Sequence, residues 1–198
     1  MSDLSAMEQY LQGIPAGLAS YPGQLQKASV VQQFTKEMPT YGLGGQVPAP
    51  LEGLLSKTLS PSSWVPEVHA TALLLAVRGL VYSSDEAFLS AALRANRRLL
   101  TGPLYRMLMM VVSPGFLLKN AAGRWSQFHQ GMTLSVSFRG DSEAALQLEY
   151  PPGLLPHLIA RAYSTAFHAA VEAAGGKAVA VELAALEATQ ARFTCKWG

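Results

Sequence analysis

The sequence predicts an α+β fold: an N-terminal helical region packed on a C-terminal four-stranded antiparallel unit built as hairpin, helix, hairpin. Three observations carry this. Apolar residues recur at helical spacing through most of the first 130 positions, and the period switches to two at Met132. Alternating segments then stand on either side of a long helix, from Leu154 to Ala174, that ends at Gly175-Gly176. The whole chain, 1–198, reads as one domain, with 1–130 mainly helical and 131–198 forming the hairpin-helix-hairpin part.

Element by element, Leu4 to Leu11 and Gln24 to Lys36 read as short helices separated by Gly13, Pro15, Gly17 and a Tyr21-Pro22-Gly23 turn. Leu25, Ala28, Val31 and Phe34 form the apolar stripe of the second. Met38 to Pro50 holds three Pro and three Gly in thirteen positions and is a loop. Its Gly44-Gly45 lacks the strand, helix and Lys-Ser/Thr context of a phosphate cradle. A helical region follows, from Leu51 to about His129. Ser63-Trp64-Val65-Pro66-Glu67 starts one helix, and Ser84-Asp85-Glu86 starts another that runs to Leu100. Leu104 to Val112 is a further helix, and Ser113-Pro114 caps one running to about Phe128. Met132, Leu134, Val136 and Phe138 then alternate with polar residues, Gly140-Asp141 makes a turn, and Leu146, Leu148 and Tyr150 alternate in the partner strand. Pro151-Pro152-Gly153 stops it. Ala178 to Leu186 and Ala191 to Trp197 form the closing hairpin, with Phe193, Cys195 and Trp197 on one face.

Composition narrows the function classes. With 49% hydrophobic and only 14% charged side chains, the chain has helices buried on more than one face, or a surface covered by a partner. A net charge of +2 gives no pull toward nucleic acid or an anionic membrane. The most apolar run, Met107 to Leu118, is broken by Ser113-Pro114-Gly115, so no membrane span is expected. A lone Cys195 and the lack of a basic-then-apolar leader point to a reducing cytoplasm.

Candidate chemistry is sparse. No two of His69, His129, His157 and His168 stand four apart, and one cysteine supplies no thiolate cluster, so no metal site is expected. His157, Arg161, Ser164 and His168, at spacings of four, three and four, share one face of the long helix. The plainer reading is a solvated face. The sharper one is a polar wall in a cleft between helices and sheet, with Arg161 holding an anion and a histidine moving a proton. Trp125 and Tyr150 complete the candidate ligand-binding set. Cys195 reads as a small buried residue. Seven basic residues and no acid lie between Ala87 and Gly140, whereas six acids face two basic residues from Asp141 to Glu187. Pairing between the two halves accounts for this better than a nucleic-acid patch built on Arg94, Arg97, Arg98 and Arg106.

Thr101-Gly102-Pro103-Leu104-Tyr105-Arg106, the hairpin from Met132 to Tyr150, Ala173-Ala174-Gly175-Gly176 and the ending Ala191-Arg192-Phe193-Thr194-Cys195-Lys196-Trp197 together carry a resemblance. Over about its last hundred residues the chain is similar to the haem-nitric-oxide-binding fold and its vinyl-reductase-type relatives. Within that set it most resembles a family known from myxobacteria. The resemblance implies ligand sensing or protein interaction. Haem sensors of that fold use a histidine on the helix before the hairpin and a Tyr-x-Ser-x-Arg signature. Here Phe116 to Arg124 holds no histidine, Tyr150 is followed by Pro151-Pro152-Gly153-Leu154, and His129 falls at the expected helix end. No haem, and no other cofactor, is expected.

The expected function is therefore a non-haem module that binds a small apolar or anionic ligand or a partner protein, with homodimer formation left open. The alternative is a cofactor-free enzyme using His157 or His168 for acid–base work and Arg161 as anion anchor.

Overall fold

The computed structural model describes residues 3–38, 43–55, 59–103, 105–106 and 113–198. In chain order the helices are α1 (Ser5–Gln12), α2 (Ala28–Glu37), α3 (Ala49–Leu55), α4 (Glu67–Val81), α5 (Asp85–Thr101), α6 (Pro114–Lys119), α7 (Ala121–Trp125) and α8 (His157–Ala173). The strands are β1 (Leu25–Lys27), β2 (Trp64–Pro66), β3 (His129–Gln130), β4 (Thr133–Gly140), β5 (Glu143–Glu149), β6 (Ala180–Leu186) and β7 (Gln190–Lys196). The architecture is α+β, as the change of hydrophobic period predicts. The helix expected over 104–112 falls almost entirely outside the described residues.

Capping residues set the helix starts. Ser84 Oγ accepts from the Ala87 amide at 3.2 Å, and Ser113 Oγ accepts from the Phe116 amide at 3.3 Å with Pro114 directly behind it. Helix α4 is buried on several faces: Val68, Ala72, Leu73, Ala76 and Val77 are all fully or nearly fully enclosed. This is where a chain with so few charges puts its apolar side chains. Gly79 lets the first residues cross α4 closely, because a Cβ there would stand 1.7 Å from the Asp3 carbonyl oxygen. At the end of α8, Gly175 adopts φ +88°, and the amides of Gly175 and Gly176 reach back to the carbonyls of Glu172 and Val171 at 2.9 and 3.0 Å.

Four expectations are corrected. Residues 25–27 are not helical: they form the middle strand of a small antiparallel sheet ordered β2-β1-β3, and α2 starts only at Ala28. Trp64-Val65-Pro66 is the second strand of that sheet rather than a helix start, the helix beginning at Glu67. Such short strands exist only through long-range pairing, which local periodicity does not register. The helix from Pro114 breaks at Asn120, whose side-chain amide donates to the Phe116 carbonyl at 2.8 Å while its backbone amide is shared between the Phe116 and Leu117 carbonyls at 3.3 and 3.1 Å. It resumes as α7 and stops at Trp125. Finally α8 begins at His157, since Pro156 supplies the extended residue before it.

The larger sheet is antiparallel, ordered β4-β5-β7-β6. Its register aligns Val136, Leu146, Phe193 and Leu183 across the four strands, and Leu134, Leu148 and Ala191 beside them. That face packs against α8, with Phe167 edge-on to Phe193 at 5.1 Å. The largest apolar cluster joins both parts of the chain: Met7, Leu51, Val68 and Leu75 from the helices, Leu146, Leu148, Phe193 and Cys195 from the sheet, and Ile159 and Val171 from α8.

Candidate functional site

The small sheet delivers His129 to the interior. Pairing of Gln26 with His129 in β1–β3 fixes that backbone, and the ring comes to rest 7% exposed. Opposite it stands Glu67, the first residue of α4 and only 2% exposed, where the positive end of the helix dipole favours a carboxylate. Nδ1 of His129 donates to Glu67 Oε2 at 3.2 Å, and the Tyr163 hydroxyl from α8 donates to Glu67 Oε1. One carboxylate thus joins α4, β3 and α8. With the proton on Nδ1, the second ring nitrogen of His129 is left without a hydrogen-bond partner among the described residues. Burial, and then the charge of Glu67, push the Tyr163 phenol well above its ordinary range, so Tyr163 is a fixed donor.

Trp125, the last residue of α7, lies flat on His129 with centroids 4.1 Å apart and planes 15° apart. Its Nε1 donates to the Met132 carbonyl at 3.2 Å, and its ring also meets Tyr163 and Phe167. Beyond this stack is a cavity of about 120 Å³ between α5, α6, α7, α8 and the sheet, walled by residues that include Leu99, Leu117, Leu134, Leu146 and Phe167. Arg124 and Asn96 are among the few polar side chains in its wall. An adjoining space of about 60 Å³ shares Val30, Asn96, His129 and Ala166 with it and adds Glu67 and Tyr163.

Of the residues singled out in the sequence, Trp125 lines the cavity. His157, Arg161, Ser164 and His168 line neither space. His157 is exposed. Arg161 lies 3.6 Å from Glu86 of α5, and His168 lies 3.2 Å from Glu172, which Arg97 of α5 clasps with two bonds of 2.7 Å. Ser164 is buried, with its hydroxyl unpaired among the described residues. The other side of α8, with Ile159, Ala162, Tyr163, Ala166, Phe167 and Ala170, is the one that faces the two spaces. Tyr150 closes the far end of the hairpin, its hydroxyl donating to the Glu187 carbonyl at 3.2 Å. The node of Glu67, His129 and Tyr163 escapes a sequence reading because its members lie 62 and 34 positions apart. Gly45 spends its amide on Glu52 at 2.5 Å, not on a phosphate. Among the described residues no group of three or more His, Cys, Asp or Glu is placed to hold a metal.

No family model and no curated protein matches the chain. Solved structures do. An H-NOX domain used to probe haem distortion superposes with a TM-score of 0.58 at 7% identity, covering 86% of this chain and 94% of that one. An oxygen-binding H-NOX domain related to soluble guanylate cyclases gives 0.56 at 7%, with the same coverage. The unliganded Fe(II) H-NOX protein from K. algicida gives 0.53 at 8%, covering 87% and 96%. The fold is H-NOX-like. The likeness extends beyond the last hundred residues, into the helical part.

An H-NOX-like fold raises the question of haem, and the residues present do not fit it. A cavity of about 120 Å³ compares with the roughly 150 Å³ that admits benzene, while a haem is a four-ring macrocycle with two propionates. Trp125 and Phe167 occupy its wall as full rings, and α6 and α7 carry no histidine. His129 has one face covered by Trp125 and one nitrogen committed to Glu67. After Tyr150 the chain turns through Pro151-Pro152-Gly153, with neither serine nor arginine for propionates.

Proposed function

We propose that this chain is a non-haem binding module of the sensor type, taking a small, largely apolar ligand into the space between its helical part and its C-terminal sheet. The cavity carries this reading: its wall is almost wholly aliphatic and aromatic, and it lies where four helices and the sheet converge, so that filling it bears on both parts at once. The H-NOX-like fold supports a sensing role by analogy. The finer likeness to vinyl-reductase-type and myxobacterial families rests on the residue pattern alone. A lone buried cysteine suits a reducing compartment.

Titration with toluene, followed by tryptophan fluorescence and thermal unfolding, tests the reading. Saturable binding is expected, with a stabilisation of about 2.7 kcal/mol at a hundred times Kd. Ala170→Leu, which fills the cavity from α8, should abolish binding without unfolding the protein. Stoichiometric haem uptake with a Soret band, or toluene binding unaffected by Ala170→Leu, would overturn it.

A further inference from the structure

We infer that the ligand of this cavity is a small apolar body bearing a carboxylate, and that Arg124 is its anchor. The inference rests on the binding-module reading above and gives it a ligand class.

Arg124 lines the cavity from α7, and its Nη1 is buried with no hydrogen-bond partner among the described residues. Four other arginines are held in close ion pairs. Arg78 meets Asp85 at 2.6 Å, Arg97 meets Glu172 at 2.7 Å, Arg98 meets Glu37 at 2.6 Å and Arg192 meets Glu187 at 2.8 Å. Arg124 has no such partner among the described residues, and no acid occurs anywhere from Ala87 to Gly140 to supply one locally. Among the described residues the one carboxylate lining either space, Glu67, is already taken by His129 and Tyr163.

A buried guanidinium nitrogen without an acceptor is a standing cost to the folded state. Turned toward the cavity, the guanidinium meets a ligand oxygen that supplies the acceptor and removes that cost, and the planar fork of arginine suits the two oxygens of a carboxylate. The remaining wall dictates the rest of the molecule. Leu99, Leu117, Leu134 and Leu146 offer nothing polar, while Trp125 and Phe167 offer ring faces and edges. A volume of about 120 Å³ holds a body the size of one aromatic ring. An aryl or short-chain monocarboxylate satisfies both requirements.

Calorimetric titration of the intact protein with phenylacetate and with 2-phenylethanol, a neutral near-isostere, decides the matter. Phenylacetate should bind roughly tenfold or more tightly than the alcohol. Arg124→Met should erase that preference while keeping alcohol binding, and Arg124→Lys should restore part of it. Should Arg124→Met fail to fold, the Arg124 Nε–H resonance of labelled wild type serves instead, and it should move with phenylacetate and not with the alcohol. If the alcohol binds as tightly as the acid, or the resonance ignores the acid, the carboxylate anchor is wrong although the cavity reading stands. If neither compound binds, both are wrong.

Discussion

Two polar assemblies tie α8 to the rest of the molecule, and they differ in one variable, access to water. Along the seam with α5, Arg97, Glu172 and His168 form a surface polar cluster, with Arg161 near Glu86. At the node on the other side of the helix, Glu67, His129 and Tyr163 share one carboxylate that is 2% exposed. Partners at the seam trade hydrogen bonds with solvent when a neighbour is lost. Those at the node have no such recourse, because removing the acceptor strands two buried donors. Polar contacts at the two places therefore carry very different weights, and the candidate ligand space adjoins the heavier set.

Removing the node's acceptor should give the largest effect. Glu67→Ala is expected to cost about 2–6 kcal/mol in urea unfolding, because it strands two donors at about 1–3 kcal/mol each. Glu67→Gln keeps an oxygen for Tyr163 and should cost clearly less. Equal losses for the two variants would mean that packing, not hydrogen bonding, holds the node.

Alkaline pH should come next. Burial pushes the Cys195 thiol up to about 11 and the Tyr150 phenol up to about 12, and it raises Tyr163 and Tyr10 as well. Each of these groups is held neutral in the folded state beyond the pH at which it ionises in the unfolded chain. Their contribution is whole below about pH 9 and is lost as pH rises through the folded values. Melting temperature should thus fall steadily between pH 8.5 and 11, and Cys195 should resist thiol reagents until the protein unfolds. A flat profile would show that the node and the sheet interior are wetter than their geometry indicates.

The contrast also explains what could be read from the sequence. The α+β class, the four strands, the caps at Ser84 and Ser113 and the Gly175 stop are local signals, each written within a few neighbouring residues. The His157–Arg161–Ser164–His168 stripe is local too, and the spacing places it correctly on one helix face. Whether that face meets a cavity or a neighbouring helix depends on how α8 is rotated against α5, which no period encodes. The node is invisible for the opposite reason. Glu67 looks like an ordinary first-turn acid and His129 like a residue at a helix end, and only the pairing of β1 with β3 brings them together. Trp125 was legible as a ligand-side candidate, whereas the unpaired state of Arg124 needed the full set of ion pairs to become apparent.

A smaller effect is expected at the seam. Arg97→Ala, Glu172→Gln and their combination should each change unfolding free energy by less than about 1 kcal/mol, with a coupling of a few tenths. The hydrogen bonds from Arg97, followed by His168, hold the Glu172 carboxyl below its usual range. Its contribution is therefore present at neutral pH and lost as pH falls through the lowered value, and Glu172→Gln should remove that acid-side slope. A coupling as large as the node's would erase the distinction between the two assemblies.

The smallest effect should be on nucleic-acid binding, the function that the acid-free basic stretch superficially invites. Phosphate contacts need cations that are free to leave their present partners, and the two best-placed arginines are engaged: Arg97 with Glu172 from the acid-rich C-terminal part, and Arg98 with Glu37 of α2. Trading an intramolecular carboxylate for a phosphate gains little, and the carboxylate left behind would repel the polyanion. A net charge of +2 adds no long-range attraction. Binding to duplex DNA should therefore be no tighter than about 10⁻⁵ M at physiological salt, within the non-specific range. Arg97→Ala with Arg98→Ala should leave even that weak signal almost unchanged in a mobility-shift titration. Submicromolar binding that vanished in the double variant, with a log–log salt slope of several units, would show that the seam's ion pairs open on demand and that α5, not the cavity, is the working surface.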